Sequence, residues 1–251
     1  KESTSNIVVH ENMNNMMEET FRAVRTNLLF MLEKDQKVIL VTSSIPKEGK
    51  SFVAGNLAVS LAFLGKKTLV VGLDIRKPGL NKTFGFSTRS YGITNYLSNP
   101  DEVNLFDMIM TSEISKNLHI LPGGSVPPNP TELVSRPIFD QTIEMLKQHY
   151  DYIILDTAPI GLVTDTSIIA HVADVGLVVC RADYTPKAAY QNNLQKDKIF
   201  TKLATVVNDI DFNLRKNSYS YNYGRKYGYG YGRKYGFGYG YGYGYENENK
   251  S

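Results

Sequence analysis

Residues 44–51 read Ser-Ile-Pro-Lys-Glu-Gly-Lys-Ser, directly after an apolar run and at the start of a helical pattern. They follow G-x-x-x-x-G-K-[ST], with Ser44 in place of the first glycine. In such a loop the backbone N–H groups and the helix N-terminus surround phosphate oxygens. Ser44, Pro46, Lys47, Glu48 and Gly49 form the cradle in this reading. Lys50 reaches the β- and γ-phosphates of ATP, and the Ser51 hydroxyl is a ligand for Mg2+.

Two further strand ends carry carboxylates. YIILD (152–156) ends on Asp156, the position of an aspartate that orients Mg2+ through its water shell. LVVGLDIRKP (69–78) ends an apolar run on Asp74 and places Arg76 two residues later. Lys50 and Asp156 are thus candidate catalytic residues, and Ser51 and Asp156 candidate metal ligands. Asp165 either supports Asp156 or caps the helical pattern beginning at Thr164.

These residues need a frame that brings strand ends together. Apolar runs at 37–44, 68–74, 118–124, 152–156, 175–180 and 204–208 alternate with helical patterns at 16–32, 50–64, 92–99, 137–149, 164–172 and 188–203. Gly65 ends the second of those helices. VPPNP (126–130) reads as a rigid connection. Alternation of this kind predicts an α/β fold of three layers, α/β/α, around a mostly parallel sheet. Ligands of such sheets bind beyond the carboxyl ends of the strands, where every motif above falls.

The length of 251 residues suits one such domain with extensions. We expect a linker over 1–15, a nucleotide-binding domain over 16–211 and a flexible tail over 212–251. Formal net charge is +3, but the tail alone carries seven Lys/Arg against two Glu. The domain is thus slightly acidic, which argues against a specific nucleic-acid partner. A single cysteine, Cys180, excludes an internal disulfide framework. The four histidines have no zinc spacing. No apolar run approaches the ~20 residues that cross a bilayer. The chain begins at Lys1 without Met, as expected for a piece of a longer protein with a membrane part upstream.

The tail holds Tyr219, Tyr221, Tyr223, Tyr227, Tyr229, Tyr231, Tyr235, Tyr239, Tyr241, Tyr243 and Tyr245, spaced by glycines. Such a segment has too little to bury for a core of its own. It reads as a row of phosphate acceptors behind a nucleotide site, or as a low-complexity adhesive or RNA-contacting segment. Leaving the domain at Asn208, the tail is expected to fall short of its own site, which favours transfer between neighbours.

Taken together, the phosphate loop, the aspartate pair, Arg76 and the tyrosine cluster resemble the bacterial protein-tyrosine kinases of the polysaccharide-export family, the cytoplasmic domain of Wzc-like proteins. The resemblance spans Glu19 to the tail. It implies a P-loop NTPase fold and an ATP- and Mg2+-dependent autokinase that controls polysaccharide export, in which Asp74 and Arg76 join Lys50 and Asp156 as catalytic residues and Asp74 joins Ser51 and Asp156 as a metal ligand. It also implies transfer between neighbouring copies in a ring, a transmembrane activator segment, an opposing tyrosine phosphatase, and a cytoplasmic domain tied to the inner membrane. E-x-x-R-x-x-R, here Glu19, Arg22 and Arg25, packs between ring subunits in that family; on spacing alone it is equally an intrahelical charge ladder. Asn208 matches a position used for the nucleotide base, and a strand-end turn is the other reading. GGSVPPNPTEL (123–133) resembles the loop beside the family's active site.

The chain departs from the family at two points. Gly72 stands where the first aspartate of the D-x-D-x-R motif is usual, and Ser44 replaces a glycine. The alternatives are a partition or division ATPase of the ParA/MinD kind, whose signature lysine is replaced here by Ile45, and an ATP-binding scaffold without transfer.

Overall fold

A computed structural model of the chain describes residues 5–11, 15–86, 91–196 and 199–211. All eleven tail tyrosines lie outside these residues. The first of the chain's two units, residues 1–210, holds every helix and strand among the described residues.

Helix α1 (Met16–Met31) starts at Asn15, whose side chain accepts from the Glu18 N–H. It is followed by β1 (Val38–Ser43), α2 (Lys50–Phe63), β2 (Thr68–Leu73) and two short helices, α3 (Leu80–Phe84) and α4 (Ile93–Ser98). Next come β3 (Met110–Thr111), β4 (Leu118–Leu121), α5 (Pro130–Val134), α6 (Pro137–Lys147) and β5 (Tyr152–Thr157). The domain closes with α7 (Asp165–Ile169), β6 (Val175–Arg181), α8 (Lys187–Lys196) and β7 (Leu203–Asn208).

The seven strands form one sheet in the order β3-β4-β2-β5-β1-β6-β7. Every pairing is parallel except that of β3 with β4. Because strand side chains alternate, each central strand feeds two cores. Ile39, Val41, Val70 and Ile154 pack with α1 and α2, while Leu40, Leu69, Val71 and Leu155 pack under α4, α5 and α6. This is the expected three-layer arrangement. Sequence neighbours β1 and β2 are separated by β5, so α2 crosses over that strand and opens a crevice at the carboxyl ends of β1, β5 and β2.

Three local expectations are corrected. The stretch expected as linker is not free throughout: Ile7 and Val9 are buried, and the Val8 and Val9 N–H groups donate to Asn56 of α2. The last helix does not run on to 203, since residues 199–202 turn to bring the Phe200 ring against Gly176 of β6. And the Pro-rich connection becomes helical at Pro130, where proline's fixed φ and missing N–H suit a first turn.

Candidate active site

The phosphate loop spans β1 to α2 and is held from inside. The fully buried Glu48 carboxylate accepts from the Ile45 N–H at 2.7 Å and, through its other oxygen, from the Thr185 hydroxyl. The Ser43 hydroxyl donates to the Ile45 carbonyl at 2.8 Å. Glu48 therefore braces the loop with its side chain and leaves only backbone to face a ligand. Asn208, at the end of β7, donates to the Glu48 carbonyl at 3.0 Å and so clamps the loop from the side. Beside that contact lies a cleft of about 310 Å³ lined by Lys47, Phe52, Arg181, Asn208 and Asp209.

Gly49 is held in the left-handed region at φ 98°, and a Cβ there would sit 2.2 Å from Asn208 Nδ2. Both costs act on the loop that must present its N–H groups. A Gly49→Ala chain should lose at least ~1 kcal/mol of stability and most of its nucleotide affinity. Thermal melts with and without nucleotide check this; a variant as stable and as well stabilised as the parent contradicts it.

At the head of α2, the buried Lys50 points across the crevice, its Nζ 3.9 Å from Asp74 Oδ2. The Asp74 N–H donates to the Asp156 carbonyl at 2.8 Å, and Asp74 Oδ1 accepts from the Lys77 N–H at 3.1 Å. Burial raises the Asp74 carboxyl above the ordinary carboxylate value, with Lys50 pulling it back. Asp156 is 1% exposed, and neither of its carboxylate oxygens completes a hydrogen bond. Burial pushes its pKa up to about 7; the Ser51 hydroxyl and the Lys50 ammonium favour the charged form without capping it. Ser51 Oγ is approached closely by Gly79, where a Cβ would lie 2.7 Å away.

Two orphaned oxygens on a buried carboxylate, beside a serine hydroxyl and a second carboxylate, fit a Mg2+ ion. No group of three or more His, Cys, Asp or Glu side chains able to hold a metal occurs among the described residues. Mg2+ typically takes one or two carboxylates and completes its shell with substrate phosphates and water. Gly72 pairs in register with Asp156, and a Cβ on it would meet the Gly123 nitrogen at 3.0 Å. A carboxylate at 72 thus requires the loop after β4 to give by a few tenths of an ångström.

Arg76 forms no ion pair with the crevice carboxylates Asp74 and Asp156. Its Nε and Nη2 donate to the two oxygens of Asp165 at 2.6 and 3.0 Å, and Nη2 also donates to the Thr131 hydroxyl at 3.1 Å. The Thr131 hydroxyl in turn donates to Asp165 Oδ1 at 2.6 Å. Burial raises the Asp165 carboxyl, but the bonds from Arg76 and Thr131 outweigh it and leave its pKa below the usual value. Asp165 is the first residue of α7, yet both oxygens serve Arg76, so neither sequence reading of it holds. Glu48, Thr131, Asp165 and Thr185 had no motif to mark these roles; each acts through a partner far away in sequence.

Of the expected interface residues, Glu19 and Arg22 pair along the exposed face of α1 at 2.7 Å, with Glu18 at 3.1 Å as a second partner of Arg22. Arg25 is committed inward, donating to the Ser60 carbonyl of α2 at 2.7 Å. Within one chain these are the helix ladder and an anchor between α1 and α2.

Residues 36–192 match the AAA domain family AAA_31. The tyrosine-protein kinase CpsD of Streptococcus agalactiae serotype III is 39% identical over 197 residues, which cover 76% of this chain and 83% of that protein. The solved structure of the chimerical protein CapA2B2 is similar with a TM-score of 0.74 and 29% identity over 82% of this chain and 90% of that one. The kinase domain of the Escherichia coli tyrosine kinase ETK is similar with a TM-score of 0.73 and 26% identity over 91% and 83% of the two chains.

Proposed function

Because the chain belongs to the family of bacterial tyrosine kinases that includes CpsD, we propose that it uses Mg2+ and ATP to phosphorylate its own C-terminal tyrosines in the control of polysaccharide export. The carrying observation is the meeting of Lys50, Ser51, Asp74 and Asp156 at adjacent strand ends, with two orphaned Asp156 oxygens facing the crevice. In the reaction the bond from the β,γ-bridging oxygen to the γ-phosphorus breaks, a bond from that phosphorus to a tyrosine oxygen forms, ADP leaves and the phenol proton is released.

The loop 44–51 would hold the phosphates with backbone N–H groups, its shape maintained by Glu48 and Asn208. Lys50 would neutralise charge on the β- and γ-oxygens, and Ser51, Asp74 and Asp156 would hold Mg2+. Bound there, the ion neutralises charge on the phosphoryl oxygens. With glycine at 72, Asp74 is the strand-end carboxylate of β2 left to receive the phenol proton. A loose phosphoryl-transfer transition state depends more on position and charge than on a strong base, so this departure is compatible with transfer. The cleft at Asn208 and Arg181 would take the nucleotide base.

Reach alone does not decide between transfer within a chain and transfer between copies. Four strand spacings, about 19 Å, separate β7 from β2, whereas the nine residues from 210 to Tyr219 span up to ~30 Å when extended. The tail beyond residue 211 lies outside the described residues, and transfer between copies rests on the family resemblance. Of Glu19, Arg22 and Arg25, the first two are left exposed to serve a ring contact. A cytoplasmic place at the membrane, a transmembrane activator and a phosphatase follow from the same resemblance.

Mixing a tail-less active chain with a Lys50→Met chain that keeps its tail, in labelled ATP, tests this. Label on the Lys50→Met tail is expected. Label confined to chains whose own site is intact would place the reaction within one chain, and free phosphate alone would point to an ATPase.

A further inference from the structure

Arg76 is bound in a way its motif does not explain. An exposed arginine paired with an exposed carboxylate contributes little and is easily rearranged. Here the acceptor, Asp165, is 1% exposed and meets the guanidinium side-on through Nε and Nη2. Thr131 locks the same carboxylate and the same nitrogen from a third element. The fork geometry of arginine then fixes the plane of the group and leaves Nη1, with its two N–H bonds, on the side away from Asp165. Nη1 has no hydrogen-bond partner among the described residues. Arg76 lies two residues beyond Asp74, within reach of its charge, and its side chain is 40% exposed. The clamp joins the segment after β2 to the first turns of α5 and α7.

We propose that Asp165 and Thr131 are positioning residues that hold Arg76 with Nη1 directed at the oxygens of the phosphoryl group being transferred. This rests on the kinase reading above. Arg76 supplies a fixed donor pair where charge is shared between the nucleotide and the acceptor phenol. The clamp spares the reaction the cost of ordering a long side chain at each turnover.

The test is a kinetic cycle on the full chain. Asp165→Asn should lower kcat for tail phosphorylation about 10- to 100-fold while KM for ATP stays within about threefold, because only the placement of Arg76 changes. Thr131→Val should lower kcat less, and Thr131→Ser, which keeps the hydroxyl, should restore it. In an Arg76→Ala background, Asp165→Asn should have no further effect, since there is nothing left to position. An Asp165→Asn chain with unchanged kcat overturns the proposal. So does an Asp165→Asn loss that persists in full in the Arg76→Ala background, which would mark a structural role. If the parent chain binds ATP but labels no tyrosine, the kinase reading fails and the proposal with it.

Discussion

A Lys50→Met chain is expected to add no measurable phosphate to its tail while folding normally. Lys50 is 8% exposed, and its ammonium is the cation paired across the crevice with Asp74. Methionine fills much the same space, so the packing at the head of α2 survives. What is lost is one fixed positive charge in a site that gathers the charge of two carboxylates and a triphosphate. Electrostatic groups of this kind are worth ~10³-fold or more in phosphoryl transfer. Loss of activity with the melting temperature within about 2 °C of the parent is the expected result. Retained phosphorylation in protein free of other kinases would remove the phosphate loop from the account.

Asp156→Asn should separate activity from stability. The amide cannot supply the charge that Mg2+ requires, so transfer should fall by at least ~10²-fold. The folded chain without ligand should nonetheless become more stable above neutral pH. Asp156 titrates near 7 in the fold because burial disfavours its charged form, against an ordinary carboxylate value when unfolded. A raised folded pKa gives stability that is complete below the unfolded pKa and is lost as pH rises through the folded one. The parent should therefore weaken between about pH 4 and 7 by on the order of 4 kcal/mol at most, and the Asp156→Asn chain should be free of that loss. Melts at pH 5 and pH 8.5 without nucleotide check the sign: the two chains should lie closer at pH 5 and diverge at pH 8.5, the variant higher. A variant that melts lower at pH 8.5 would show that the carboxylate is satisfied in the fold.

Much of this is legible along the chain because the strands are buried on both faces. VILVTS, TLVVGL and YIILDT are near-continuous apolar runs that turn polar at their carboxyl ends, so Asp74 and Asp156 fall at strand ends without the need for coordinates. The phosphate loop is legible for a related reason: its spacing dictates backbone shape, and Gly49 occupies the positive-φ position as that shape demands.

The rest depends on distant partners. Ile7 and Val9 lie in a polar stretch with no period, and their segment is held by the Thr83 carbonyl of α3 and the Asn56 side chain of α2. The two-residue β3 is too short for any alternation to register. Glu48 reads as a loop residue facing a ligand until Thr185, 137 positions later, is seen to turn it inward. Asp165 follows Thr164 and reads as part of a helix start, while its true partner Arg76 is 89 residues earlier. Such pairs leave no local signal, since it is the sheet order that brings them together.

The central claim is that this chain is both the kinase and its substrate, with Lys50, Asp74 and Asp156 acting on the tyrosines beyond residue 212. The most direct measurement is a mass-spectrometric map of phosphotyrosine on purified protein after incubation with Mg2+ and ATP, run beside the Lys50→Met chain. The account predicts phosphate on several of the tyrosines between Tyr219 and Tyr245 in the parent, and none in the variant. A parent tail that stays unmodified while ATP is bound, or equal modification of both chains, would contradict it.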